Sequence, residues 1–117
     1  MKQITKNFVD TEFMCPCCKK IKISYDLVDR LQIVRELIGV PITVTSGYRC
    51  RKHNKAVNGY EKSLHMQGLA ADIKVRQDKM QELKDICKKV FYDKGIGIYP
   101  NHVHVDMGKY QRFVGKY

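Results

Sequence analysis

No apolar run in the sequence approaches the roughly 20 residues needed to span a bilayer, which excludes a transmembrane helix. The start, Met1-Lys2-Gln3-Ile4-Thr5-Lys6, is basic but has no apolar segment behind it, so it does not read as a secretory signal. Internal repeats, low-complexity stretches and linkers are also missing, and the 117 residues read as one domain, 1–117. A chain of this length can bury about two-thirds of its unfolded surface, enough for one modest core. Acidic residues are in the minority, 12 against 22 Lys and Arg, giving a formal charge of +10. Those basic residues form no tail or tight block. The charge therefore fits a polyanion partner, adhesion to an anionic polymer surface, or a merely soluble exterior. Nothing resembles a recognition helix or a base-stacking surface, so nucleic acid is not the expected partner.

What is present balances these absences. Hydrophobic residues are 44% and charged residues 29% of the chain, the proportions of a globular protein. Five cysteines are many for this length. Cys15, Cys17 and Cys18 cluster, while Cys50 and Cys87 stand alone. The cluster reads as half of a structural zinc site completed by Cys50 and His53, as the source of a disulfide to Cys50, or as reduced thiols. Cys87 falls on an expected helix and reads as core.

Leu27, Leu31, Val34 and Ile38 recur at helical spacing, which predicts a helix over residues 25–39 closed by Gly39. A short β-branched strand is expected at 42–45, and a short helix at 49–57 stopped by the Asn58-Gly59 turn. A second strand follows at 69–75 and a second long helix at 78–92, with Met80, Leu83, Cys87 and Val90 on one side. Residues 95–99 and 102–107 read as hairpin arms around Pro100-Asn101. Helices separated by strands, with a tight final hairpin, predict an α+β domain built on a mostly antiparallel sheet.

Two of these strands carry chemistry. Alternation places Leu69, Ala71, Ile73 and Val75 on one face and Ala70, Asp72 and Lys74 on the other. Likewise Val103, Val105 and Met107 oppose His102, His104 and Asp106. If the two strands are neighbours, two imidazoles and two carboxylates share one surface. His65 stands seven residues before Asp72, in a loop whose Gly68 permits a tight approach. Two imidazoles and one carboxylate with an open position suit a hydrolytic zinc ion.

The pattern Ser63-x-His65-x-x-Gly68-x-Ala70-x-Asp72, followed by His102-x-His104-x-Asp106, resembles the signature of the zinc D-Ala-D-Ala carboxypeptidases, the M15 peptidases. The likeness is greatest to their small single-domain bacterial and phage members. Pro41-Ile42-Thr43-Val44-Thr45-Ser46-Gly47-Tyr48-Arg49, Asn54 and Gly95-Ile96-Gly97-Ile98-Tyr99-Pro100 agree with it, so the resemblance covers most of the chain. It implies an α+β fold shared with the hedgehog signalling domain, a zinc ion, and peptidoglycan stem peptides as substrate. By position it implies His65, Asp72 and His104 as metal ligands, Arg49 at the scissile carbonyl, and His102 as general base or oxyanion stabiliser. Other branches of the family carry an acidic residue shortly before the last His ligand. Here Pro100 and Asn101 stand in its place, which leaves His102. Tyr48 and Ser63 join Arg49 as substrate-binding candidates, with capping of the loop an equal role for Ser63. Asp106 would orient a histidine or simply end the strand.

The resemblance leaves the reaction open between a carboxypeptidase and an endopeptidase. The missing signal favours the endopeptidase, as in phage lytic enzymes made in the cytoplasm and acting on the wall after lysis. A catalytically silent zinc-containing binding module of the same fold is the alternative, against which Arg49 and His102 argue. A monomer is expected.

Overall fold

The first long helix forms over Tyr25–Ile38 (α1) in the computed structural model, which describes residues 1–116. Ser24 Oγ accepts the Leu27 N–H at 3.3 Å at its start, and Gly39 ends it with φ at 72°, a conformation that glycine adopts without a Cβ penalty. Leu27, Val28, Leu31, Val34 and Ile38 are buried along its inner stripe. Each such side chain contributes about 1.5–3 kcal/mol relative to an exposed one.

Before α1, β1 (Gln3–Thr5) and β2 (Phe8–Val9) form a small antiparallel pair that no periodicity signals, since each is too short to show alternation. The main sheet holds β3 (Thr43–Ser46), β4 (Ala70–Lys74), β5 (Gly95–Ile98), β6 (Val103–Asp106) and β7 (Gln111–Val114), in the order β3-β4-β6-β5-β7. Every neighbouring pair is antiparallel except β5 and β7, which are parallel. The domain is α+β, as the pattern of elements predicts.

The strand β7 was not anticipated, and its docking has a local cause. The Arg112 guanidinium donates to the carbonyls of Lys94 at 2.6 Å, Phe91 at 3.3 Å and Tyr92 at 3.4 Å. These carbonyls follow the last long helix, α3 (Met80–Val90), and one half-buried guanidinium satisfies three of them. The helix is shorter than the expected 78–92. A 3-10 turn at Gln77–Lys79 precedes it, where Arg76 and Asp78 pair at 2.9 Å. Likewise α2 occupies Arg51–Ala56 rather than 49–57, because the Cys50 sulfur accepts the His53 N–H and caps the helix there. That leaves Arg49 outside the helix.

The faces of the sheet divide as alternation predicts. Ala71, Ile73, Ile96, Val103 and Val105 join the residues of α1 and α3 in one buried cluster with Phe8, Phe13 and Phe91. Cys87 is fully buried in the same cluster, and burial pushes its thiol up to about 12. The opposite face carries Asp72, His104 and Asp106.

Two glycines in this frame tolerate no side chain. A Cβ at Gly47 would lie 2.5 Å from the Phe13 Cα, where the Tyr48 N–H donates to the Phe13 carbonyl at 2.9 Å. A Cβ at Gly97 would enter the ring of Phe113 on β7. Gly47→Ala should therefore destabilise the protein by about 1–3 kcal/mol, because backbone must move. Leu37→Ala, at a position 57% exposed on α1, should change stability by less than about 0.5 kcal/mol. Urea denaturation followed by circular dichroism measures both, and equal midpoints for the two variants would contradict the packing described.

Candidate metal centre and its cleft

Asp72 on β4 and His104 on β6 are direct cross-strand partners, so their side chains project together from the face away from the helices. His104 Nδ1 lies 3.0 Å from Asp72 Oδ1. His65 arrives from a 3-10 turn, Leu64–Gln67, opened by Ser63 Oγ accepting the His65 N–H at 3.2 Å. The turn closes at Gly68, with φ at 72°. His65 Nε2 then lies 3.3 Å from the same Asp72 oxygen. The three ligand-type atoms sit within 4.8 Å of one another.

The hydrogen bonds around this trio fit it to a cation. His65 Nδ1 is 2.8 Å from the Gly47 carbonyl oxygen, an acceptor only, so Nδ1 carries the proton. The Nε2 lone pair is left buried, without a hydrogen-bond partner, facing a carboxylate. His104 is held on its other side, with Nε2 2.8 Å from Asp106 Oδ2. Asp106 is itself fixed by the Gly108 N–H at 2.9 Å. A proton on His104 Nε2 turns its Nδ1 lone pair toward Asp72. Two imidazole nitrogens and one carboxylate oxygen thus converge electron-rich, the donor set that suits a zinc ion. Asp106 supplies the outer carboxylate that fixes tautomer and ring orientation.

Without a cation, protonation takes up the charge. Burial works against ionisation of Asp72, but the His104 hydrogen bond and the adjoining His65 imidazole hold its carboxyl well below the usual range. Burial also disfavours a charged His104, yet Asp106 and Asp72 raise it to about 9.

Arg49 binds the second Asp72 oxygen, Nη2 to Oδ2, at 3.3 Å. Its Nε donates to Ser46 Oγ at 3.0 Å and its Nη1 to Asn54 Oδ1 at 3.3 Å. Asn54 is buried and pinned in turn, its Nδ2 donating to the Tyr60 carbonyl at 2.9 Å. The guanidinium is therefore held by three side chains before any ligand arrives.

These groups line an open cleft of about 830 Å³. Arg49, Ser63, His65, Asp72, His102 and His104 all border it. His102 is half-buried and stacks on Tyr99, with ring centroids 4.2 Å apart and planes at 13°. Burial holds His102 below the usual histidine range; His104, Arg49 and His65 push the same way, and Asp72 opposes them.

Some sequence-predicted residues stand elsewhere. Tyr48 is not among the residues bordering the cleft; its phenol lies on the side of Cys15, Cys18 and Cys50 and is raised chiefly by burial. Successive side chains after Gly47 diverge, with Arg49 turning to Asp72 and Tyr48 away. Ser63 borders the cleft and also caps the turn that carries His65. No cysteine lies in the cleft, and none is in a disulfide. Two aromatic residues of the site were missed: Tyr99, and Phe113, whose ring sits 5.5 Å from that of His104. The signal for Phe113 was the Gly95-Ile96-Gly97 alternation, since a Cβ at Gly97 would fill the space its ring occupies.

The sequence model of the peptidase M15 family matches residues 4–106, a span containing all of the polar residues just described. No curated protein matches the chain.

Replacing Asp106 with Asn should lower zinc affinity by about 10- to 100-fold while leaving the circular dichroism spectrum unchanged. Competition with a chromophoric chelator reads this directly. Unchanged affinity would show that Asp106 does not orient a ligand.

Proposed function

The chain belongs to the peptidase M15 family, whose members are zinc-dependent, and from that premise we propose that it hydrolyses a peptide bond in the stem peptides of peptidoglycan. The observation that carries the reading is the buried, unpartnered Nε2 of His65 facing Asp72 and His104 at the floor of an open cleft. In this reading His65, Asp72 and His104 hold the zinc ion. When bound, the metal acts as a Lewis acid and lowers the pKa of a water to about 7.

The chain's own residues do the remaining work. Arg49 directs a permanently charged donor into the cleft, aimed at the carbonyl oxygen of the scissile bond. Negative charge develops on that oxygen as water adds to the carbonyl carbon. A donor already fixed by Ser46, Asn54 and Asp72 needs no reorganisation to stabilise it. The neutral imidazole of His102, steadied by Tyr99, accepts the proton released by the attacking water. It returns that proton to the departing amine nitrogen as the C–N bond breaks. Ser63 and Tyr99 border the same space and would contact the peptide on either side. The net charge of +10 suits approach to an anionic wall. A lytic role, with the protein reaching the wall from the cytoplasm, agrees with the basic surface.

Purified muropeptides incubated with the zinc-loaded protein and analysed by mass spectrometry test the proposal, with a chelator-treated sample as control. Chelator-sensitive loss of terminal alanine identifies a carboxypeptidase, and a cut within the stem or cross-bridge an endopeptidase. Unchanged muropeptides with zinc retained would replace hydrolysis with a binding role. Arg49→Lys should reduce kcat by about 10²- to 10³-fold with zinc content unchanged, because a lysine cannot reproduce the three-point anchoring.

A further inference from the structure

A second set of soft ligands lies outside the cleft. Cys15, Cys18 and Cys50 place their sulfur atoms within 4.8 Å of one another, although Cys50 is far from the other two in sequence. We propose that this cluster is a structural zinc site, closed by Cys17 as fourth ligand, that clamps the N-terminal loop to the segment carrying Arg49.

The backbone is folded around these sulfurs. The Lys19 N–H donates to the Cys15 carbonyl at 2.9 Å, and the Cys15 N–H to the Lys20 carbonyl at 2.9 Å. Lys19 adopts φ at 64°, a left-handed conformation that turns the chain back on itself directly after Cys18. This is how two cysteines at C-x-x-C spacing come to face one centre. The Cys50 N–H donates to Cys15 Sγ at 3.4 Å, and the N–H groups of Cys18 and Cys17 are also turned toward that sulfur. The His53 N–H donates to Cys50 Sγ at 3.4 Å. Cys15 Sγ thus receives several N–H donors and Cys50 Sγ one, and three sulfur atoms gathered this closely are a soft donor set for a cation. Zinc is the metal that four tetrahedral sulfurs favour, and a closed set of protein ligands marks a structural rather than a catalytic site. The fourth position falls in this proposal to Cys17, the remaining cysteine of the same loop, whose thiol is exposed and interacts with that of Cys50.

The site would act on architecture. Cys50 directly follows Arg49 and caps α2, which carries Asn54. A metal held there joins residues 15–18 to the start of that helix.

The test separates the two sites. Zinc in the full-length protein, purified without chelator, is measured by elemental analysis and should be close to two equivalents per chain. The His65→Ala/His104→Ala variant, with the cleft disabled, should keep one. Adding Cys18→Ser to it should remove that one. Cobalt(II) substitution of the cleft-disabled variant should give the intense thiolate-to-metal charge-transfer bands of tetrahedral sulfur coordination, a readout that needs no further cysteine variant to fold. Absence of those bands and of zinc in the cleft-disabled variant would overturn the proposal. Thiol titration in denaturant then names the replacement: five free thiols mean a reduced cluster, and three mean a disulfide. Because the readout is metal at cysteine, it stands or falls separately from the peptidase activity.

Discussion

The Asp72 carboxylate is the interaction on which the remainder of the site depends. One oxygen faces both imidazoles and the other faces Arg49. Asp72 is nearly buried, so its charge is sustained only by these partners. Asp72 and Asp106 together bring two negative charges to the floor of the cleft, and Arg49 compensates one. The other is met by a proton on His104 or by a cation between the ligand atoms. Binding a divalent ion, with release of that proton, and keeping the proton are therefore alternative ways to satisfy one charge requirement. The sheet makes the arrangement possible through register. A slip of one residue between β4 and β6 would turn His104 into the core and Val103 or Val105 into the cleft. The apolar faces of both strands forbid it, since Ala71, Ile73, Val103 and Val105 are fully buried.

This explains which parts of the structure were legible in the sequence. Alternation in residues 69–75 and 102–107 fixed the polar and apolar faces of each strand, because both lie half in a core. It did not fix that Asp72 and His104 are opposite one another, which depends on long-range pairing. Helix α1 was legible to within a residue, because Ser24 and Gly39 mark its ends chemically. The other helices have weaker boundaries. α3 lacks a side-chain cap at its start, and α2 is set by a sulfur that is an unusual capping atom. Strand β7 was not legible at all. It pairs in parallel with β5, and what holds it is the set of carbonyls beyond α3 that Arg112 reaches, which no local pattern announces. The aromatic wall of the site followed it out of view, since Phe113 lies on that strand.

The segment from Ser46 to Asn54 shows how closely the site and the scaffold are interleaved. Ser46 accepts from Arg49; the Gly47 carbonyl sets the tautomer of His65; Arg49 reaches Asp72; Cys50 caps α2; and Asn54 fixes Arg49 again. Neighbouring residues thus serve opposite directions, Arg49 toward Asp72 and Tyr48 toward the side of the cysteines. A motif in sequence identifies a segment, whereas the direction of each side chain is set by the backbone path that follows Gly47. That path has its own cause in the close approach of Phe13, for which only glycine leaves room.

The same interleaving bears on rigidity. A guanidinium useful in stabilising transient negative charge must be in place before the charge appears, because a side chain that has to reorganise forfeits much of its benefit. Arg49 lies in a stretch with no regular secondary structure between β3 and α2, where backbone freedom would ordinarily be greatest. Its backbone N–H donates to the His65 carbonyl at 3.1 Å, while Tyr48 before it is tied to Phe13 and Cys50 after it to Cys15. The loop is thus anchored residue by residue, on one side to the turn that carries a ligand and on the other to the N-terminal cysteine loop. The small N-terminal elements, which carry no polar residue of the cleft, hold the arginine in place through those two bonds.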